Sequence, residues 1–274
     1  MKNITLRTIS GTGFVAVMLC GLLISRYLFG ALVLFIMVAM MLEFYRMSMG
    51  SRHRVCQSLA ITAGVSEFVL LFGLFSWGLP GSVIALPMVF LMAIPIAAVF
   101  SRDHMHMGDI AYVLAGILYI ALPLTLSNLI AFKGGDFSAR LLLSFFILIW
   151  CSDIGAYTIG KFFGKGKRKL AEHISPQKTW VGFFGGLGFC MLAAIVIMLT
   201  GLFDFPWYHC LALAVIMDIG GVAGDLFESL WKRHFGVKDS GAIIPGHGGM
   251  LDRFDSTLVA MPLGALYLSI MGLI

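Results

Sequence analysis

Two polar stretches interrupt this otherwise apolar chain, and their side chains are of the kinds that handle phosphates and metal ions. The first holds Lys161, Lys165, Lys167, Arg168 and Lys169, then Ser175-Pro176-Gln177-Lys178-Thr179-Trp180. Lys178 and Thr179 stand just before an apolar run that reads as a helix, where exposed backbone N–H groups and the helix dipole favour an anion. The second runs Lys238-Asp239-Ser240-Gly241, then Pro245-Gly246-His247-Gly248-Gly249, then Asp252-Arg253-Phe254-Asp255. Glycines at 246, 248 and 249 allow either a close backbone approach to a ligand or a tight turn. Asp252 and Asp255, three apart, become neighbours if they open a helix. Hard carboxylate oxygens of this kind suit Mg2+, which takes one or two of them together with substrate phosphates. His247 reads as a phosphate ligand or a brace for the turn, with a general base as the third option. A zinc site would need partners that this stretch lacks.

These loops must be held by the apolar segments around them. Hydrophobic residues make up 59% of the 274-residue chain and charged residues 12%, against roughly a quarter charged in a soluble domain. A membrane-spanning helix needs about 20 mostly apolar residues. Nine stretches qualify: 9–25, 27–45, 56–77, 81–100, 109–132, 140–160, 180–202, 207–230 and 256–274. The expected fold is therefore all-α, a polytopic integral membrane protein of about nine transmembrane helices. With the N-terminus cytoplasmic, 16 of the 19 basic residues fall on one side, leaving Arg26, Lys133 and Arg140 on the other. That is the bias of the positive-inside rule. Residues 1–139 form five N-terminal spans, and 140–274 a catalytic region with two cytoplasmic loops. The net charge of +5 follows from this topology and gives no sign of nucleic-acid binding. Five scattered cysteines without a CxxC argue against disulfides or zinc.

Within the spans, Asp153 lies in the sixth, and Asp218, Asp225 and Glu228 in the eighth, followed by Lys232 and Arg233. At about 100° per residue, Asp218, Asp225, Ser229 and Lys232 share one helical face, with Glu228 about 60° away. Carboxylates exposed to lipid cost several kcal/mol, so these must face protein, water or a metal. The N-terminal half has few such acids: Glu43 near a helix end, Glu67 within the third span and Asp109 at a boundary. All are functional candidates by default, though a structural partner or a water-filled dimple explains Glu67 as well. Gly182, Gly185, Gly186 and Gly188, and Gly220 with Gly224, have the small-xxx-small spacing of close helix packing.

The run Ser229 to Asp255, with Lys232-Arg233, Lys238-Asp239, His247-Gly248-Gly249 and Asp252-Arg253-x-Asp255, resembles the signature of phosphatidate cytidylyltransferases. The likeness extends to Ser152-Asp153, Gly155-Ala156-Tyr157, Ser175-Pro176, Lys178-Thr179 and Gly224-Asp225, with Trp231 as a departure from the aliphatic residue or Phe usual there. It implies transfer of a cytidylyl group from CTP to phosphatidic acid, a multi-pass location in the inner (cytoplasmic) membrane, and a homodimer among membrane lipids. It further implies Mg2+, with a monovalent cation such as K+ beside it, on Asp225 and Asp252, helped by Asp153 and Asp255. Lys238 and His247 join Asp225 and Asp252 as catalytic candidates. Ser175, Lys178, Thr179, Lys232, Arg233, Asp239, Gly248, Gly249 and Arg253 are candidates for substrate binding. A transporter would place its acids at mid-membrane between repeated halves, and a CTP-dependent lipid kinase would need to deprotonate an alcohol.

Overall fold

The computed structural model describes residues 2–101, 105–244, 246 and 248–274, with side chains from Ser10 onward. Every apolar stretch expected to span is helical. The helices are α1 (Lys2–Leu23), α2 (Arg26–Ser48), α3 (Arg54–Trp77), α4 (Pro87–Val99), α5 (Met107–Gly116) and α6 (Leu122–Ala131), then α7 (Arg140–Phe163), α8 (Trp180–Leu199), α9 (Trp207–His234) and α10 (Leu251–Ile270). A 3-10 turn, Gly81–Ala85, leads into α4, and a π-turn, Ile117–Ala121, joins α5 to α6. Seven of these segments, α2 to α9 with α5 and α6 taken together, are long and apolar enough to cross a membrane; the apolar part of α1 is shorter, Ser10–Leu23. In the α4 segment only 11% of the most apolar window is buried at a mean hydropathy of 2.4, the outward-facing character that a lipid solvent permits and water does not.

The break between α1 and α2 has a local cause. Ser25, in an extended conformation, accepts a hydrogen bond from Leu28 N and so starts α2 afresh. One element lies outside the all-helical expectation: a two-stranded antiparallel hairpin, β1 (Lys169–Ala171) with β2 (Ser175–Thr179), pairing Lys169 with Thr179. These strands are short and polar, so no alternation of apolar residues marks them.

The chain divides into two compact units. One comprises Met1–Asn128, Gly134–Phe137 and Asp239–Arg253; the other comprises Leu129–Lys133, Ser138–Lys238 and Phe254–Ile274. In the first, Phe29, Met37, Met40, Phe44 and Tyr45 of α2 are fully buried. The Tyr45 hydroxyl donates to Val113 O at 2.8 Å, its ring lying where a side chain at Gly116 would stand. In the second, Phe145 and Leu148 of α7, Cys190 and Ala194 of α8, Leu213 and Met217 of α9, and Met261 and Leu268 of α10 form the core. The small-residue runs serve close approach, as their spacing suggests, except at Gly188, where a Cβ would meet open space. A Cβ on Gly186 would stand 2.9 Å from Ser152 O, and one on Gly220 would stand 2.7 Å from the Ala260 backbone.

Candidate active site

The second unit gathers acids from three helices. Asp225, on α9, meets Lys178 from the end of β2, with Nζ 2.5 Å from Oδ2, and takes a longer bond of 3.4 Å from Ser229 Oγ. The hairpin explains how Lys178 gets there. Trp180 N donates to Arg168 O at 3.2 Å, closing the hairpin immediately before α8. Thr179 then caps that helix, its hydroxyl oxygen accepting from Gly182 N at 3.1 Å. Asp255, on α10, is half-buried within electrostatic reach of Asp225, Asp153 and Lys232, and its Oδ1 accepts from Ser256 N at 2.7 Å. Gly224 permits this gathering, because a Cβ there would run into the Asp255 carbonyl. Lys232 pairs with the fully buried Glu228 one turn before it. Deeper along the same helices, Asp218 is fully buried and takes a 2.5 Å bond from Ser152 Oγ of α7.

The stripe read on α9 therefore has three separate partners along its length: Ser152 for Asp218, Lys178 for Asp225, and Glu228 for Lys232. Arg233 reaches Val237 O at 3.4 Å at the helix end, and Lys238 lies exposed beyond it. Carboxylates within electrostatic reach of one another repel unless cations sit among them. The ammonium groups of Lys178 and Lys232 supply part of that charge, the former directly on Asp225. Among the described residues no three His, Cys, Asp or Glu side chains converge as ready metal ligands. The donor chemistry nevertheless fits a hard divalent cation, with oxygen acceptors throughout and a cationic group already held at Asp225.

The first unit holds the other loop. Asp252 Oδ2 accepts from Gly249 N at 2.7 Å, Ser240 N at 3.0 Å and Ser240 Oγ at 3.0 Å. It thereby folds the loop back onto the first turn of α10. Gly248 takes a left-handed conformation, φ 84°, and a Cβ on it would stand 2.7 Å from Asp252 Oδ2, so any side chain there is excluded twice over. Asp239 and Arg253 are exposed, and Ser175 opens β2 half-buried. His247 lies outside the described residues.

Sequence reasoning assigned Glu43 too small a part. This α2 carboxylate is 6% exposed and accepts from Met250 N and Leu251 N, each at 2.9 Å. Its Oε2 lies 3.2 Å from Ser240 Oγ, whose one proton it shares with Asp252 Oδ2. A buried acid in an apolar helix was the signal, but its partners lie some 200 positions away in the chain.

Comparison with known proteins now bears on this arrangement. A sequence model of the cytidylyltransferase family matches residues 5–271, nearly the whole chain. The chain belongs to the cytidylyltransferase family. Among relatives of this cytidylyltransferase-family chain, a phosphatidate cytidylyltransferase of Staphylococcus saprophyticus subsp. saprophyticus is 39% identical over 165 residues, covering 60% of this chain and 61% of the relative. One from Staphylococcus aureus (strain COL) is 40% identical over 166 residues, with the same coverage. The chain thus spans about three fifths of the length of the curated relatives it matches.

Proposed function

We propose that this protein transfers the cytidylyl group of CTP to phosphatidic acid, giving CDP-diacylglycerol and pyrophosphate. The observation that carries the reading is the ion pair of Lys178 with Asp225, with Asp255 within electrostatic reach of Asp225, Asp153 and Lys232, in a chain whose relatives bear the name phosphatidate cytidylyltransferase.

The acceptor is a phosphate monoester whose second pKa lies near 6, so it is a nucleophile at neutral pH without a general base. The difficulty is instead to bring two polyanions together. Asp225, Asp153 and Asp255 would hold Mg2+, with K+ as a companion, and the ion would supply charge neutralisation on the triphosphate of CTP. Asp252 as a further ligand rests on the family resemblance; its Oδ2 serves the loop. Lys178 would exchange its bond to Asp225 for one to a phosphate oxygen. Arg233, Lys238 and Arg253, all exposed, offer further positive charge, and the resemblance adds Ser175, Thr179, Asp239, Gly248 and Gly249 as substrate contacts. We assign the protein to the inner membrane as a homodimer with its N-terminus and these loops on the cytoplasmic side. Phosphatidic acid then stays in its leaflet while CTP arrives from water.

Purified protein given phosphatidic acid, Mg2+ and CTP labelled at the α-phosphate should move label into the lipid fraction. Label confined to the aqueous phase defeats the proposal.

A further inference from the structure

Glu43 belongs to a helix that carries none of the residues assigned above to substrate or metal, yet it holds both ends of the loop that leads into α10. We propose that Glu43 is a positioning residue for the reaction, fixing Ser240 and the stretch 249–252 through its carboxylate; this rests on the proposed cytidylyl transfer.

The first N–H groups of a helix lack partners within it. At the start of α10 the N–H of Leu251, and that of Met250 just before it, are answered by Glu43, through Oε2 and Oε1 respectively. The Oε2 atom also meets Ser240 Oγ, which in turn lies 3.0 Å from Asp252 Oδ2. One acid in α2 thus reaches the start of the loop at Ser240, its end at Met250 and Leu251, and through Ser240 the Asp252 side chain. The glycines fit the same contact. The three nearest atoms to a Cβ on Gly241 would all be those of Glu43, and a Cβ on Gly249 would stand 2.6 Å from Glu43 Oε2. The loop is therefore moulded onto this carboxylate, and both of its oxygens are needed. A glutamine keeps the shape but turns one acceptor into a donor facing an N–H.

The test uses the full chain in detergent, with Tyr45→Phe as a control for mere loss of packing in α2. Losing one charge-assisted bond should lower kcat of folded Glu43→Gln about tenfold to hundredfold, with Glu43→Asp, which keeps the charge, in between. KM for CTP should stay near that of the wild type. Backbone amide exchange at Met250 and Leu251 should quicken in Glu43→Gln and not in Tyr45→Phe. A wild-type protein that moves no label into lipid defeats the reaction itself. An active wild type with an equally active Glu43→Gln, or with unchanged amide exchange in that variant, overturns the role given to Glu43. If Glu43→Gln does not fold, Ser240→Ala removes the hydroxyl that bridges Glu43 Oε2 and Asp252 Oδ2 and leaves the backbone bonds of both acids in place. A several-fold fall in its kcat supports the proposal, and wild-type kcat overturns it.

Discussion

Asp225→Asn separates chemistry from stability more cleanly than any other change in this protein. The substitution keeps the volume of the side chain and removes its charge. What the fold loses is small. The pair with Lys178 is about one third exposed on the Asp225 side, and solvent-screened pairs of that sort contribute about 0–1 kcal/mol. The Ser229 bond, at 3.4 Å, is long and adds little. Chemistry should lose far more. A carboxylate that seats a divalent cation on phosphates is tied to several kcal/mol of transition-state charge stabilisation, or about 10^3-fold or more in rate. The assay is transfer of α-phosphate label from CTP into lipid, run beside size-exclusion and thermal unfolding in the same detergent. We expect a monodisperse protein with near-wild-type unfolding and no measurable transfer. Turnover near normal would remove Asp225 from the chemistry, and an aggregated or unfolded variant would return the loss to structure.

The corresponding change at Asp252 should behave differently. Its Oδ2 serves three donors, so Asp252→Asn should cost about 1–3 kcal/mol of stability as charged bonds become neutral ones, along with activity; unfolding identical to wild type would contradict the hydrogen bonding described. Lys178→Gln should reduce kcat/KM for CTP at least about tenfold, since an ion-paired ammonium is replaced by a neutral amide, and unaltered steady-state kinetics would exclude it from phosphate handling. Chelation of divalent cations should stop transfer with the far-ultraviolet circular dichroism unchanged, and Mg2+ should restore it; full activity in chelator would dismiss the metal. In a double-mutant cycle, Gly241→Ala should be less harmful in the Glu43→Asp background than alone, because the shortened acid withdraws from the new Cβ. Simple additivity of the two would mean that Gly241 and Glu43 do not share that space.

The helices could be read from the sequence because lipid imposes a crude rule: long, uninterrupted apolar runs have no good alternative to the helix. The acids of α9 were legible for the same reason, since Asp218 and Asp225 have no business in such a run unless answered. What could not be read is who answers them. Ser152 and Lys178 come from other elements, and nothing at positions 152 or 178 specifies its partner. The hairpin at 169–179 escaped because the signal for a strand is apolar alternation, and Lys169–Ala171 and Ser175–Thr179 bury too little to show it. Glu43 was visible as an oddity and underrated, because a lone acid near the end of a helix is explained as easily by solvent as by a distant backbone.

The choice of Glu43 as a cap for α10 is physically informative because a simpler one was at hand. The residue before the helix is Met250, whose thioether is at best a weak acceptor; a serine or aspartate there would satisfy the N–H of Asp252 or Arg253 from within the loop, at a gain of roughly 1 kcal/mol. Such a cap would stabilise α10 and leave the loop free to take other paths. A carboxylate on α2 instead meets the N–H groups of Met250 and Leu251 and fixes where they are, because α2 is itself held by Phe44 and Tyr45, both fully buried. The arrangement resolves two costs together. A charge that would be expensive in an apolar helix gains two backbone donors and a hydroxyl, and a helix start without a local cap gains its acceptor. Stability alone would be served by either solution. Only the long-range one transmits the position of α2 to Ser240, Gly249 and Asp252, as the positioning role proposed for Glu43 demands.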